Sequence, residues 1–136
     1  MNKATRNNQV TGNIGLFYVC YRLSCQGWNV MPTARNARGI DVLIYSQDAR
    51  KKLALQIKAL SNRNPVPLGK DLDCLGDFIV ICRELNKEKP ECFILTPAEI
   101  CEGVRGKESF WLKMKHYEQE RFREKWERIG RGDAKI

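Results

Sequence analysis

Asp41, Gln56 and Lys58 are the residues of this 136-residue chain whose types and spacing suit them to chemistry. Asp41 lies in the run Ile40-Asp41-Val42-Leu43-Ile44-Tyr45, and Gln56 and Lys58 lie in Leu53-Ala54-Leu55-Gln56-Ile57-Lys58. Both runs read as β-strands, joined by the polar turn Ser46 to Lys52. Side chains two apart in a strand share a face, so Gln56 and Lys58 point one way while Ile57 points into the core. If the strands form a hairpin, the separation of 15 from Asp41 to Gln56 lets the two lie side by side. A carboxylate, an amide oxygen and an ammonium then converge on one edge of a sheet. Charged groups flanked by Ile40, Val42, Leu55 and Ile57 are costly to bury without partners. Either they form a structural ion pair or they handle a charged ligand.

Other chemistries find little support. His116 is the sole histidine, which excludes a catalytic triad or a His-rich metal site, and it reads as a surface residue of an expected helix. The six cysteines (Cys20, Cys25, Cys74, Cys82, Cys92, Cys101) form no CxxC pair. Cys20 and Cys25 have no nearby His or Cys to complete a zinc site. Most cysteines sit in apolar runs and read as small core residues. No GxxxxGK[ST] or GxGxxG loop is present, so no nucleotide cofactor is expected.

The elements that must position the three residues follow from periodicity. Ile14 to Leu23 carries apolar residues at helical spacing, with Gly27 suited to the stop. Trp28 to Met31 is a short strand ended by Pro32, and the Asp41 and Lys58 strands follow. Ser61 to Gly69 reads as a loop from its Pro, Asn and Gly content. Phe78 to Cys82 reads as a fully buried central strand and Cys92 to Leu95 as another. Thr96-Pro97-Ala98-Glu99 combines a Thr cap, Pro in the first helical position and a Glu that closes a capping box. Residues 108–129 are expected to be helical, with Trp111, Met114 and Tyr117 on one stripe and Phe122, Trp126 and Ile129 on another. Their aromatic side chains are expected to pack on the sheet. The order predicts an α/β chain with a mixed sheet flanked by helices.

An N-terminal helix, then Gly39-Ile40-Asp41, then Gln56-x-Lys58 resembles the PD-(D/E)XK nuclease superfamily in its Asp…Gln-x-Lys variant, with the Holliday-junction-resolvase-like branch nearest. The resemblance covers about residues 10–100. It implies a restriction-endonuclease-like αβββαβ core, with helices after it, and metal-dependent hydrolysis of DNA phosphodiester bonds. It further implies that Asp41, the side-chain oxygen of Gln56 and the backbone carbonyl of Ile57 hold Mg²⁺ (or Mn²⁺), and that Lys58 positions and polarises the attacking water. Asp41, Gln56 and Lys58 would then be the catalytic residues. The family commonly carries a Glu in the first helix, where Asn13 follows Gly12 here. No acid in residues 1–40 can replace it. One negative charge holds Mg²⁺ weakly, so the resemblance implies turnover that is slow, dependent on bound DNA phosphate, or absent. Asp48 and Asp77 are the acids considered for completing such a site.

Charge points to the same partner. The chain carries 24 Lys and Arg against 16 Asp and Glu, a net charge of +8. Residues 1–40 hold five basic residues and no acid, residues 76–110 are net −2, and residues 111–136 are net +3. A basic surplus at both ends suits a polyanion, with nucleic acid first. Arg35, Asn36, Arg38, Arg63 and Asn13 are the expected DNA contacts, through phosphates rather than bases. The longest apolar runs are far short of the roughly 18–20 residues of a membrane span, and the polar start is unlike a signal peptide. A cytoplasmic location without membrane association is expected.

The sequence thus predicts a single domain over residues 1–136, with a nuclease-like core at about 10–104 and a helical extension at 105–136. Its expected activity is a metal-dependent DNA endonuclease, structure-selective or nonspecific. A homodimer is expected by analogy, since cutting two strands calls for two sites. Two alternatives stay open: a noncatalytic DNA-binding protein on a degenerate nuclease fold, and a protein-interaction domain in which Asp41 and Lys58 are an ion pair.

Overall fold

A computed structural model describes residues 7–34, 39–72 and 76–133. Helix α1 (Asn8–Cys25) is followed by strands β1 (Asn29–Pro32), β2 (Val42–Tyr45) and β3 (Lys52–Ala59). Strand β4 (Val66–Gly69) precedes β5 (Phe78–Arg83) and β6 (Glu91–Leu95), and helix α2 (Pro97–Gly103) follows. Strands β7 (Val104–Arg105) and β8 (Phe110–Leu112), helix α3 (Met114–Tyr117) and a 3₁₀ turn (Trp126–Arg128) complete the chain. None of the described helices is long and apolar enough to cross a membrane.

The main sheet has five strands in the order β1-β2-β3-β5-β6. Only β3 and β5 run parallel; the other neighbours are antiparallel. In β2, Val42 and Ile44 are buried while Leu43 is exposed, the alternation of a sheet with one covered face at that end. β5 and β6 are buried almost throughout, because both of their faces are covered. One core, under α1, joins Val19 and Leu23 to Val42, Ile44, Leu55, Val80 and Ile94. The other, on the opposite face, joins Ile79, Ile81, Phe93 and Leu95 to Ile100, Tyr117 and Phe122. The expected mixed sheet with flanking helices is therefore present.

α1 begins earlier than its apolar pattern, because the side chain of Asn7 caps it by accepting from the N–H of Val10 at 2.9 Å. α1 stops where Gly27 takes a φ of 89°, a left-handed conformation that glycine adopts without steric strain. At the start of α2 the capping box is complete, with Thr96 and Glu99 exchanging hydrogen bonds.

Two expectations change. The Pro-rich stretch after Lys58 holds β4, which joins a second sheet of order β4-β8-β7. β4 is an edge strand, where a proline's missing N–H leaves no ladder bond unmade. Among the described residues between β3 and β5 this strand stands in place of a helix. Residues 108–129 are not one helix either. Trp111 and Leu112 belong to β8, α3 is a single turn, and the chain then runs along the outer edge of β6. There Ile94 N–H donates to the Phe122 carbonyl at 3.0 Å, and Glu124 N–H donates to the Cys92 carbonyl at 2.8 Å. Backbone groups that a helix would use internally serve the sheet edge instead. The two cores cut across the expected stripes: Tyr117 and Phe122 fill one face, Trp126 and Ile129 the other. Trp111 stays 41% exposed.

Among the cysteines, Cys20, Cys82 and Cys92 are buried as small core residues, Cys25 and Cys101 are exposed, and Cys74 lies outside the described residues.

Gly15 controls how closely α1 sits on β3: a Cβ there would lie 2.8 Å from the Cβ of Ala59. Gly12, one turn earlier, has no atom within 4 Å of its added Cβ. Gly15→Ala is expected to destabilise the fold by about 1–3 kcal/mol through overpacking. Gly12→Ala is expected to stabilise it by up to about 1 kcal/mol through helix propensity. Urea unfolding of the two variants beside wild type checks both signs.

Candidate active site

The hairpin that brings the three residues together is formed, with Val42 opposite Leu55 and Tyr45 opposite Lys52. Asp41 is the residue just before β2. Its N–H donates to the Leu55 carbonyl at 2.9 Å. Its carboxylate Oδ2 accepts from the N–H of Ile57 at 2.6 Å. β3 alternates its backbone groups: Ala54 and Leu60 turn theirs toward β5, while Leu55 and Ile57 turn theirs toward β2. Beyond Val42 that neighbour no longer supplies a ladder, and the carboxylate takes the N–H left over. In extended backbone a residue's carbonyl projects on the same side as its N–H. The Ile57 carbonyl therefore opens toward Asp41.

Asp41, Ile57 and Lys58 line one cavity of about 520 Å³. Its opposite wall is the N-terminal half of α1, contributed by Gln9, Gly12 and Asn13. Thr33 closes one side, held there because its N–H donates to the Asp41 carbonyl at 3.0 Å. The close approach of Gly15 to Ala59, next to Lys58, sets the distance between the two walls. Among the described residues, Asp41 and Lys58 are the ionisable side chains of this lining, one of each sign. The α1 wall has no acid in its first turn, so the partial positive charge of the helix start stands uncompensated.

Gln56 departs from its sequence neighbours. Strand alternation puts it on the face of Asp41 and Lys58, and it pairs with Ile79 of β5. It does not line the cavity. Asp48 and Asp77 are absent from the lining as well. Asp48 sits in the hairpin turn, accepting from Ser46 Oγ at 2.6 Å and Arg50 N–H at 3.1 Å. Asp77 accepts from the N–H of Ala54 at 2.8 Å. Among the described residues no group of three or more His, Cys, Asp or Glu is placed to hold a metal ion.

Arg35, Asn36 and Arg38 lie outside the described residues. Arg63 is exposed just beyond β3, and its guanidinium pairs with Glu118 at 3.1 Å. The same carboxylate oxygen takes the buried Arg83 at 2.7 Å, and Tyr117 donates its hydroxyl to the Asn64 carbonyl at 2.7 Å. The loop after Lys58 is thereby tied to the C-terminal segment. His116 is half-buried rather than on the surface, its Nε2 2.6 Å from the Glu99 carbonyl oxygen. Asn8, Gln9 and Thr33 are polar cavity residues absent from the expected site. Gln9 could have been found as the position four before Asn13, on the same face of a helix without acids.

Helix α1 over an antiparallel hairpin, continued in parallel by β5, with an acid before one strand and a lysine in the next, defines the restriction-endonuclease-like fold. No protein-family model and no curated protein sequence matches the chain. Solved structures do. The bacterial homing endonuclease I-Ssp6803I superposes with a TM-score of 0.66 at 17% identity, covering 93% of each chain. Hjc, a Holliday junction resolvase from the archaeal hyperthermophile Archaeoglobus fulgidus, superposes with a TM-score of 0.63 at 12% identity. That match covers 92% of this chain and 98% of the resolvase. The chain shares its fold with these two nucleases, as the sequence resemblance implied.

Hydrogen bonds from Arg83 and then Arg63 hold the Glu118 carboxyl below its ordinary range. Burial acts to raise Glu99, but bonds from the Thr96 backbone and Arg128 outweigh it and lower this group too. A depressed folded value means stability that is present above the unfolded value and lost as pH falls through the folded one. Urea unfolding should therefore show falling stability below a pH of about 4.3, the ordinary Glu value. Glu118→Gln should flatten part of that slope.

Proposed function

We propose that the chain is a metal-dependent DNA endonuclease acting on phosphodiester bonds, with Asp41 and Lys58 at its centre. The observation that carries this reading is the convergence of the Asp41 carboxylate, the Ile57 backbone and Lys58 on one cavity beneath the start of α1. The two solved neighbours, a homing endonuclease and a Holliday junction resolvase, support the substrate class.

The donor set suits a hard cation. The Asp41 carboxylate and the Ile57 carbonyl offer oxygen, and among the described residues neither imidazole nor thiolate lines the cavity. Mg²⁺ and Mn²⁺ take such donors and keep several waters, and one carboxylate with substrate phosphate is within their range. When bound, the ion would supply Lewis-acid polarisation and a more acidic water. Gln56 would join these ligands only by turning toward the cavity from its face of β3.

The chain's own groups have separable roles. Lys58 places a positive charge where the scissile phosphate would lie and stabilises negative charge that develops there. The N–H of Ile57 holds the Asp41 carboxylate in one orientation. Asn13 and Gln9 offer amide donors, and the α1 start adds its partial charge, a combination that suits a phosphate. Arg35, Asn36, Arg38 and Arg63 would extend this along the DNA backbone, so that recognition reads shape and charge rather than sequence. Release of Arg63 from Glu118 would accompany such contact. Cutting two strands calls for two such sites, and a homodimer completes the proposal.

A single carboxylate among the described residues of the cavity also favours a second reading, a nuclease fold kept for holding DNA. One experiment separates them: incubation of branched and linear DNA with Mg²⁺ or Mn²⁺, wild type beside Asp41→Ala and Lys58→Ala. Cleavage that needs the metal and drops about a hundredfold or more in each variant is expected. Cleavage that survives both substitutions would sink the assignment. Tight binding without cleavage would select the second reading. In either case DNA affinity should fall steeply with salt, by a log–log slope of about −0.9 for each phosphate neutralised.

A further inference from the structure

We infer that the outer face of the small sheet β4-β8-β7, centred on Trp111 and Arg105, is a further DNA contact that stacks an unpaired base. The inference rests on the reading of the chain as acting on DNA, but neither on cleavage nor on the cavity beneath α1. The three tryptophans differ in their surroundings. Trp28 and Trp126 are buried, and their indole N–H groups donate to the Gly130 carbonyl at 3.0 Å and to Glu124 at 2.7 Å. Each also lies under a cation, Lys51 and Arg22 respectively. Trp111 is 41% exposed, and among the described residues it has neither an acceptor for its N–H nor a cation over its ring.

The register explains that exposure. Leu112 is buried and Phe110 half-buried on the core side of β8, so Trp111 between them turns outward. Arg105 of β7 and Pro67 of β4 lie directly opposite it, one on either side, and both are exposed. Directly opposed residues share a face. Lys113 follows in extended backbone two residues on, which puts it on that face too. A proline ring, an indole and a guanidinium thus form one row across three strands, with an ammonium beside it. Arg63, Arg83, Arg121, Arg123, Arg128 and Arg131 are all committed to carboxylates. Arg105 instead donates to the neighbouring Val104 carbonyl at 3.1 Å, and among the described residues neither it nor Lys113 meets an acid. In the β7–β8 turn Lys107 and Glu108 offset one another. Unpaired cations beside a bare flat ring suit a polyanion that carries planar groups. In single-stranded DNA the bases stack on aromatic rings and the phosphates meet cations, whatever the base. Bases of a duplex are already stacked on one another, so this face takes nucleotides left unpaired.

The probe is a short oligothymidylate, beside an abasic oligomer of equal length, with a chelator present so that nothing is cut. Wild type is expected to bind the oligothymidylate and to lose indole emission as it does so. Trp111→Ala should weaken that binding about tenfold, the worth of one stacked base, and leave abasic binding unchanged. Trp111→Phe keeps a ring, and should retain most of the affinity while losing the emission change, a split that a purely structural tryptophan would not produce. Arg105→Gln should lower the log–log salt slope by about 0.7, one phosphate of a single strand. Affinity for the oligothymidylate that is the same in Trp111→Ala as in wild type overturns the inference. So does an equal loss on the abasic oligomer, wild-type binding without an emission change, or no binding of single strands at all. These outcomes part from those of the cleavage test. Cutting that needs Asp41 and Lys58, with binding that ignores Trp111, keeps the endonuclease and discards this contact. Binding that needs Trp111, without cutting, keeps the contact and discards the endonuclease.

Discussion

The hydrogen bond from the Ile57 N–H to the Asp41 carboxylate is the contact on which the site depends. It exists because the β2–β3 ladder runs out at the Val42–Leu55 pair, two residues short of the Ile57 donor on β3. A backbone donor left without a partner in a half-buried position is costly, and the acid supplies what the missing strand residue does not. The same bond fixes where the carboxylate points. A structural need of the sheet thus prepares a negatively charged group at the mouth of a cavity.

Helix α1 acts on that group from across the gap. It approaches β3 closely because Gly15 faces Ala59, and this approach makes the cavity a cleft between two walls rather than an open sheet edge. Because α1 brings amides and no acid, the described residues of the cleft bring one anion, one cation and a helix start of positive partial charge.

The C-terminal segment secures the framework from outside. It covers the exposed edge of β6, sends Phe122 into one core and Trp126 into the other, and clamps the loop beyond Lys58 through Glu118. The nearly buried Arg83 lies 4.8 Å from the Phe93 ring centroid and is paired with Glu91 and Glu118, which offsets the cost of removing its charge from water. Edge coverage of this kind also denies the sheet to other chains.

Asp41, Lys58 and the hairpin between them were legible in the sequence, because strand alternation and a polar turn are local signals that the register then obeyed. So were α1, the buried β5 and β6 and the capping box at Thr96. Gln56 shows where local alternation stops being enough. It fixes the face a side chain takes, but which side chains of that face reach the cavity depends on where α1 and the segment after β1 lie. Gln9 and Thr33 entered the site for the same reason, brought there by packing between elements distant in the chain. β4 was hidden by its prolines, which a sheet edge tolerates and a propensity argument does not. The tail from 108 to 129 carried apolar residues at a spacing that looks helical, yet its hydrogen bonds go to β6. Periodicity determines which residues seek a core; only the tertiary structure decides that one stretch of chain serves two cores, because crossing the sheet edge satisfies both its side chains and the strand's unpaired backbone.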